Sequence, residues 1–342
     1  MKKSETTVKG NSKLKGVLKS REFLTFVLLV VVLIAAYLMS DSFRDLTYIL
    51  KCATRYVELG MVAYTMTFII IAGMIDLSAP GVMCCSATIA AEIFVVTGGN
   101  MVLGIICGLI TGLILGFING LLVSAAKLPA MIVTIGTMNA FRGIAQILIG
   151  DKSIGGFPDW FNSWEKIAIF KIDTGGKMPA VFSVTHLAFI ILGVIAWVIL
   201  HKTRFGRTVY AIGANEHAAI CSGVNSKRVK MSLFVAQGFM CAIAGILTMS
   251  RLLLVRFDMA LNQEIDIITM VLLGGTDING GTGSMLGTFL SILLIIILKT
   301  GLIVANITSD QQTFVMGVIL LLSIIIPNAI DAAKKRKDVK SK

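Results

Sequence analysis

Runs of about twenty apolar residues recur along this chain, and each needs a solvent other than water. LAFIILGVIAWVIL (187–200) and MSLFVAQGFMCAIAGILTM (231–249) are two of them. At a rise of about 1.5 Å per residue, helices through such runs and their flanks match a hydrocarbon core about 30 Å thick. With 56% hydrophobic and 15% charged residues, the chain falls outside the range of soluble domains. The expected fold is an all-α integral membrane protein of about ten transmembrane helices, with both termini cytoplasmic and one short cytoplasmic helix between spans.

Thirty-one basic residues against nineteen acidic ones give a net charge of +12. In a soluble chain that excess would point to nucleic acid; here its distribution is a topology signal and implies no nucleic-acid partner. With the amino terminus inside, seven basic residues fall in 1–22, six in 201–230 and six in 334–342. The outer loops together hold nine. The basic start precedes a first span at 23–39 that lacks a small-residue cleavage site, which reads as a signal anchor. The organisation is thus a basic cytoplasmic tail (1–22), a polytopic domain (23–327) with a large outer loop (151–183) and a cytoplasmic loop (201–230), and a second basic tail (328–342).

The 201–230 loop, HKTRFGRTVYAIGANEHAAICSGVNSKRVK, is the longest polar interruption. Asn215 is placed to cap a helix of about two turns whose first turn carries Glu216, and Gly223 to end it in a left-handed conformation. Ser226 then offers a second cap before the next span. A helix that short is marginal alone, so it needs something to lie on. Ala218, Ala219 and Ile220 give it a small apolar face, for a docking partner or for its own membrane domain.

Two stretches break the apolar pattern. The second span (56–75) ends in GMIDLSAPG (73–81), where Gly73, Asp76, Ser78, Pro80 and Gly81 interrupt the helix before a third span at 81–97. The eighth span ends in LLGGTDINGGTGSMLGT (272–288), with Gly274, Gly275, Asp277, Gly280, Gly281 and Gly283. Gly73, Asp76, Leu77 and Ser78 correspond to Gly274, Asp277, Ile278 and Asn279 at a constant offset of 201, a short echo that is either an internal repeat or chance. Irregular backbone at such depth is tolerated where protein or a water-filled cavity satisfies it. The fourth span carries glycine every fourth residue from Gly104 to Gly120, a smooth face for sliding or for static close packing. The fifth (128–150) is unusually polar, with Thr134, Asn139 and Arg142; Arg142 calls for a cavity or the outer headgroups. Aromatics among charges in 151–183 serve either as interface anchors or as a docking surface.

The glycine-rich stretch around Asp277 lacks the lysine and hydroxyl of a phosphate loop, and neither GxSxG nor HExxH occurs. The six cysteines and three histidines show no metal-site spacing. An enzyme is not expected, nor a cofactor or metal of the chain's own. An ion-coupled carrier would want a chain of buried acids, whereas Glu58, Asp76, Glu92 and Asp266 are scattered.

IIIAGMIDLSAPG (69–81), IVTIGTMNAFRG (132–143), TRFGRTVYAIGANEHAAICSGVNSKRVK (203–230) and EIDIITMVLLGGTDINGGTGSMLGT (264–288) occur in an order and spacing that carry a resemblance. Over nearly its whole length the chain resembles the permease subunits of ribose-type sugar importers of the ATP-binding-cassette superfamily. It departs from them at Met74 and Pro80, where the family motif has glycines. The resemblance implies a pair of permease subunits in a bacterial cell membrane, the second a copy or a relative. It implies an ATP-binding subunit, with ATP bound there, as a tandem cassette, and an extracytoplasmic sugar-binding protein. It also implies that Gly206, Arg207, Gly213, Ala214, Asn215, Glu216, Ala218, Ala219 and Gly223 form the element that couples to the ATPase. The implied solute is a monosaccharide, with a nucleoside permease or an ATP-independent carrier as alternatives. On polarity alone, Asn119, Thr134, Asn139 and Arg142 are candidates to line its path.

Overall fold

Backbone groups that cannot reach water must pair within their own segment, and the apolar runs do so as helices. The computed structural model describes residues 21–39, 41–162, 164, 167–172 and 180–340. In chain order the helices are α1 (Arg21–Met39), α2 (Leu46–Ile71), α3 (Ala79–Val96), α4 (Met101–Ser124), α5 (Ala130–Ile149), the short α6 (Asp159–Asn162) and α7 (Val184–Lys202). There follow α8 (Arg204–Ala214), α9 (Glu216–Cys221), α10 (Ser226–Leu252), α11 (Gln263–Leu273), α12 (Met285–Val304) and α13 (Ser309–Lys340). Six of them, α3, α4, α5, α7, α10 and α12, are long and apolar enough to cross a membrane. Glu22–Leu38 and Ser309–Ile325 are apolar but shorter.

Burial is arranged for an apolar surrounding. From Val57 to Ala72 every residue except Thr65 is buried, and so is the first half of α3, which makes α2 and α3 the core. Large apolar side chains on α1, α4, α5 and α7 point outward instead, Leu38 and Ile147 among the most exposed. The glycine face of α4 packs closely against two helices. A Cβ at Gly104 would lie 2.5 Å from Ala90 O on α3, and one at Gly116 would overlap Phe234 O on α10.

The buried acids Glu58 and Asp266 are each paired with a cation on another helix, which offsets their desolvation. Arg251 of α10 binds Glu58 of α2 at 2.9 Å, and Thr248 donates to the same carboxylate at 2.6 Å. Lys299 of α12 binds Asp266 of α11 and lies 5.5 Å over the Tyr56 ring of α2.

Several expectations are corrected. The eighth span is the eleven-residue α11, about 16 Å long and too short to cross a core of about 30 Å. Pro80 and Gly81 do not form the first break; they lie in the first turn of α3, where proline lacks no partner it would have had. Part of the 201–230 segment is helical where a loop was expected, as α8. The outer segment forms strands β1 (Ile154–Gly155), β2 (Ala168–Ile172) and β3 (Ala180–Ser183), with β1 pairing β4 (Leu254–Val255) and β2 pairing β3. Phe161 there is fully buried, edge-on to Phe157 and Trp164, so it packs a core rather than anchoring in an interface. The second basic tail, expected from 328, continues α13 to Lys340. The first basic tail lies outside the described residues up to 20.

Gly116→Val is expected to lower the unfolding midpoint in detergent, overpacking the α4–α10 contact at a cost of about 1–3 kcal/mol. Gly317→Val on α13, where a Cβ meets nothing within 4 Å, should leave it unchanged. Melting curves of the two purified variants check this.

Candidate functional site

Both breaks are built on the same turn. α2 stops at Ile71 and Gly73 turns the chain at φ +78°. Asp76 then accepts from the backbone N–H of Ser78 at 2.8 Å and from its hydroxyl at 2.5 Å before α3 begins. In the second break Asp277 likewise accepts from the N–H of Asn279, at 3.0 Å, and from its side-chain amide at 3.2 Å. The offset of 201 thus carries a shared aspartate turn. The left-handed glycine shifts by one, since Gly274 is right-handed and Gly275 has φ +89°.

The two breaks meet each other. Gly281 N–H donates to Ile71 O at 2.8 Å, and a Cβ at Gly280 would lie 2.7 Å from Gly73 N. α8 lies across the contact: a Cβ at Gly213 would overlap Ile71 O, and one at Gly281 would lie 2.9 Å from Ala214 Cα. Tyr210 Oη donates to Gly283 O at 2.8 Å, and Met285 N–H donates to His201 Nε2 at 3.3 Å. Val209 and Ile212 are buried under α8 while Arg204 and Arg207 stay exposed. The turn from α7 into α8 is equally tight, since a Cβ at Gly206 would overlap Leu200 O.

From this junction α9 projects. Asn215 Oδ1 accepts from Ala218 N–H at 3.0 Å, capping it, and Gly223 closes it at φ +87°. Ser226 is no cap: that position is Asn225, which accepts from Arg228 N–H at 3.0 Å. Ser226 instead donates to Glu216 at 2.5 Å, beside an ion pair from Lys230 to Glu216 at 2.6 Å. Burial pushes the Glu216 carboxyl up, but the hydrogen bonds from Lys230 and Ser226, with the charges of Lys230 and His217, outweigh it and hold the group below its ordinary range. Ala219 is buried against the protein, whereas Ala218 and Ile220 are exposed. Sequence patterning gave Ser226 the wrong role and Tyr210 and Lys230 no partner, because the groups they bond lie 10 to 73 residues away.

The four path candidates separate. Asn119 is buried and donates to Ser78 Oγ at 2.7 Å, and Thr134 accepts from Leu77 N–H at 3.1 Å, so both brace the first break. Arg142 donates to Phe257 O at 2.8 Å and Met259 O at 3.1 Å, and so ties α5 to the segment after α10. Asn139 is exposed on α5 and bonds its own helix at Ile135 O. Beside the junction, the first break, the α4–α5 connection, α9 and the start of α10 enclose a cavity of about 770 Å³.

A bundle of long apolar helices with covered breaks at one end is a multi-pass membrane protein. A family model described as branched-chain amino acid transport system / permease component matches residues 48–324, and the chain belongs to that family. It is 37% identical over 301 residues to the ribose import permease protein RbsC of Bacillus subtilis (strain 168), spanning 88% of this chain and 91% of that protein. It is 33% identical over 285 residues to the L-arabinose transport system permease protein AraH of Escherichia coli (strain K12), spanning 81% of each. To the autoinducer 2 import system permease protein LsrD of Escherichia coli (strain SMS-3-5 / SECEC) it is 29% identical over 304 residues, 87% of this chain and 89% of that one. With these relatives the chain stands among the ribose-type importer permeases. No solved structure matches it.

Because Glu216 titrates lower in the folded chain than free, its contribution to stability is complete above the ordinary value of 4.5 and is lost as pH falls through the lowered one. The unfolding midpoint of the native protein should therefore drop more steeply on acidification below 4.5 than that of Glu216→Gln.

Proposed function

We propose that this chain is the membrane-spanning subunit of an ATP-binding-cassette importer and forms the route for a monosaccharide delivered by an extracytoplasmic binding protein. ATP is bound and hydrolysed in a separate subunit, a tandem cassette, and the assembly sits in a bacterial cell membrane. The junction end, where the basic 201–230 segment lies, faces the cytoplasm.

The observation that carries this reading is the mounting of α9. It exposes Ala218 and Ile220 to a partner, while α8 fixes it to backbone shared by both breaks. A displacement of α9 by a closing ATPase would therefore pass into α2, α3, α11 and α12 together, a two-state element of the kind alternating access requires. On α5, Gly136 and Gly143 meet no neighbour within 4 Å, and Asn139 and Gln146 are exposed between apolar residues. That face suits a second permease subunit, with Asn139 offering hydrogen bonds to a hydroxylated solute at the seam. Asn119, Thr134 and Arg142 then act as braces of the surrounding structure.

The test is uptake of labelled sugar by cells carrying the whole system. Glu216→Lys reverses the charge that holds Lys230, and Gly223→Val forces a branched residue into left-handed backbone. Each is expected to reduce uptake about tenfold or more, together with co-purification of the ATPase subunit. Normal uptake by both variants, shown to be folded and inserted, would overturn the assignment.

A further inference from the structure

We infer that the β2–β3 hairpin is a membrane anchor, lying in the headgroup layer at the outer end of α7 with its apolar side chains turned into the lipid. α7 runs from Val184 to Lys202, nineteen residues or about 28 Å, which matches a hydrocarbon core of about 30 Å. Its first residue therefore sits at one edge of that core. β3 ends at Ser183, the residue before it, so the hairpin starts where hydrocarbon gives way to headgroups.

The surface of the hairpin does not suit water. From Ile169 to Ile172 every residue of β2 is exposed, so the protein covers neither face of the strand. Ile169, Phe170 and Ile172 are 44%, 48% and 39% exposed, and Phe170 stacks on Phe182 of β3 at 4.7 Å without being covered by it. Ile167, also exposed, accepts at its carbonyl from the Val184 N–H at 3.2 Å, and Val184 and Leu187 begin the outward apolar surface of α7. The exposed apolar surface is thus continuous from the spanning helix into the hairpin, and the lipid that covers the first extends over the second.

Nor does the hairpin suit hydrocarbon. Among the described residues β2 and β3 pair with each other and with no third strand, which leaves open strand edges that the interior of a bilayer does not tolerate. Headgroups and their water satisfy such edges, and the exposed Lys171 extends its ammonium group to the phosphates there. A strand too apolar for water and too open for hydrocarbon fits the layer between them.

The hairpin is firmly mounted. Leu50 O, near the start of α2, can only accept, so His186 of α7 donates to it through Nε2 at 3.2 Å, and His186 Nδ1 then accepts from Ser183 Oγ at 2.7 Å. Phe182 lies beside the His186 ring, with centroids 5.4 Å apart. Anchoring the hairpin therefore fixes the depth of the outer ends of α2 and α7 in the bilayer.

The test is spin labelling of the full-length protein in phosphatidylcholine vesicles, in a background carrying Cys107→Ser and Cys221→Ser, the two cysteines that are not buried. A nitroxide is attached at Phe170→Cys and, separately, at Ile169→Cys and Ile172→Cys. Its relaxation by oxygen, which concentrates in lipid, is compared with that by a water-soluble nickel chelate. Ile190→Cys on the outward surface of α7 and Lys152→Cys in the outer segment set the lipid and water limits. The ratio of oxygen to nickel collision at the hairpin positions is expected to lie several-fold above that at Lys152. A ratio equal to that at Lys152 would place the hairpin in water, open to an extracytoplasmic protein, and would overturn the anchor. Protection from both reagents would overturn it too, since a second copy or another protein would then cover the strand. If Phe170→Cys fails to fold for want of its stack on Phe182, Ile169→Cys and Ile172→Cys decide, because that ring contact does not involve them.

Discussion

The hydrogen bond from Gly281 N–H to the Ile71 carbonyl is the contact on which the rest of this structure depends. α2 stops at Ile71, which is buried, so the carbonyls at its end need partners within the protein. The partner comes from a segment more than two hundred residues away, itself broken. Between them there is no room for side chains, so Gly280, Gly281 and Gly213 are all held where a Cβ would strike backbone. Covering one break with another, and laying α8 over both, satisfies the backbone and forces three distant segments into one rigid junction.

At the opposite end the structure depends on charge rather than backbone. Glu58 with Arg251 ties α2 to α10, and Asp266 with Lys299 ties α11 to α12. Each pair is expensive to bury and more expensive to split, so both fix helix positions more firmly than apolar packing alone. α2 is thereby held at its middle, by Glu58, and at its end, by Ile71. The short α11 runs from an ion pair to the junction, and Arg142 secures the strand-bearing segment before it. If α9 couples to an ATPase as proposed, a push arriving through α9 and α8 would meet elements tied to one another by these pairs.

Much of this was legible along the chain. Long apolar runs became helices, Asn215 became a cap and Gly223 a left-handed stop, because each depends on residues within a few positions. The echo between Asp76–Ser78 and Asp277–Asn279 was legible for the same reason, a side chain bonding its own backbone two residues on. Other features were hidden. α8 was read as loop because it lies in the longest polar interruption, and its glycines Gly206 and Gly213, poor helix formers, are placed by contacts with Leu200 and Ile71 that no local pattern shows. Polarity singled out Asn119 and Thr134, but could not show that Asn119 donates to Ser78 and Thr134 accepts from Leu77.

The sequence by itself determined the solvent, the helices and the local turns, since hydropathy, capping and aspartate turns act over neighbouring residues. Only the tertiary structure decided that the two breaks cover each other, that Glu216 answers to Ser226 and Lys230, and that Arg142 holds Phe257 and Met259. The physical reason is common to all three. A polar group in an apolar interior takes whichever partner the fold brings within about 3 Å, and that partner's position in the chain leaves no local pattern to read.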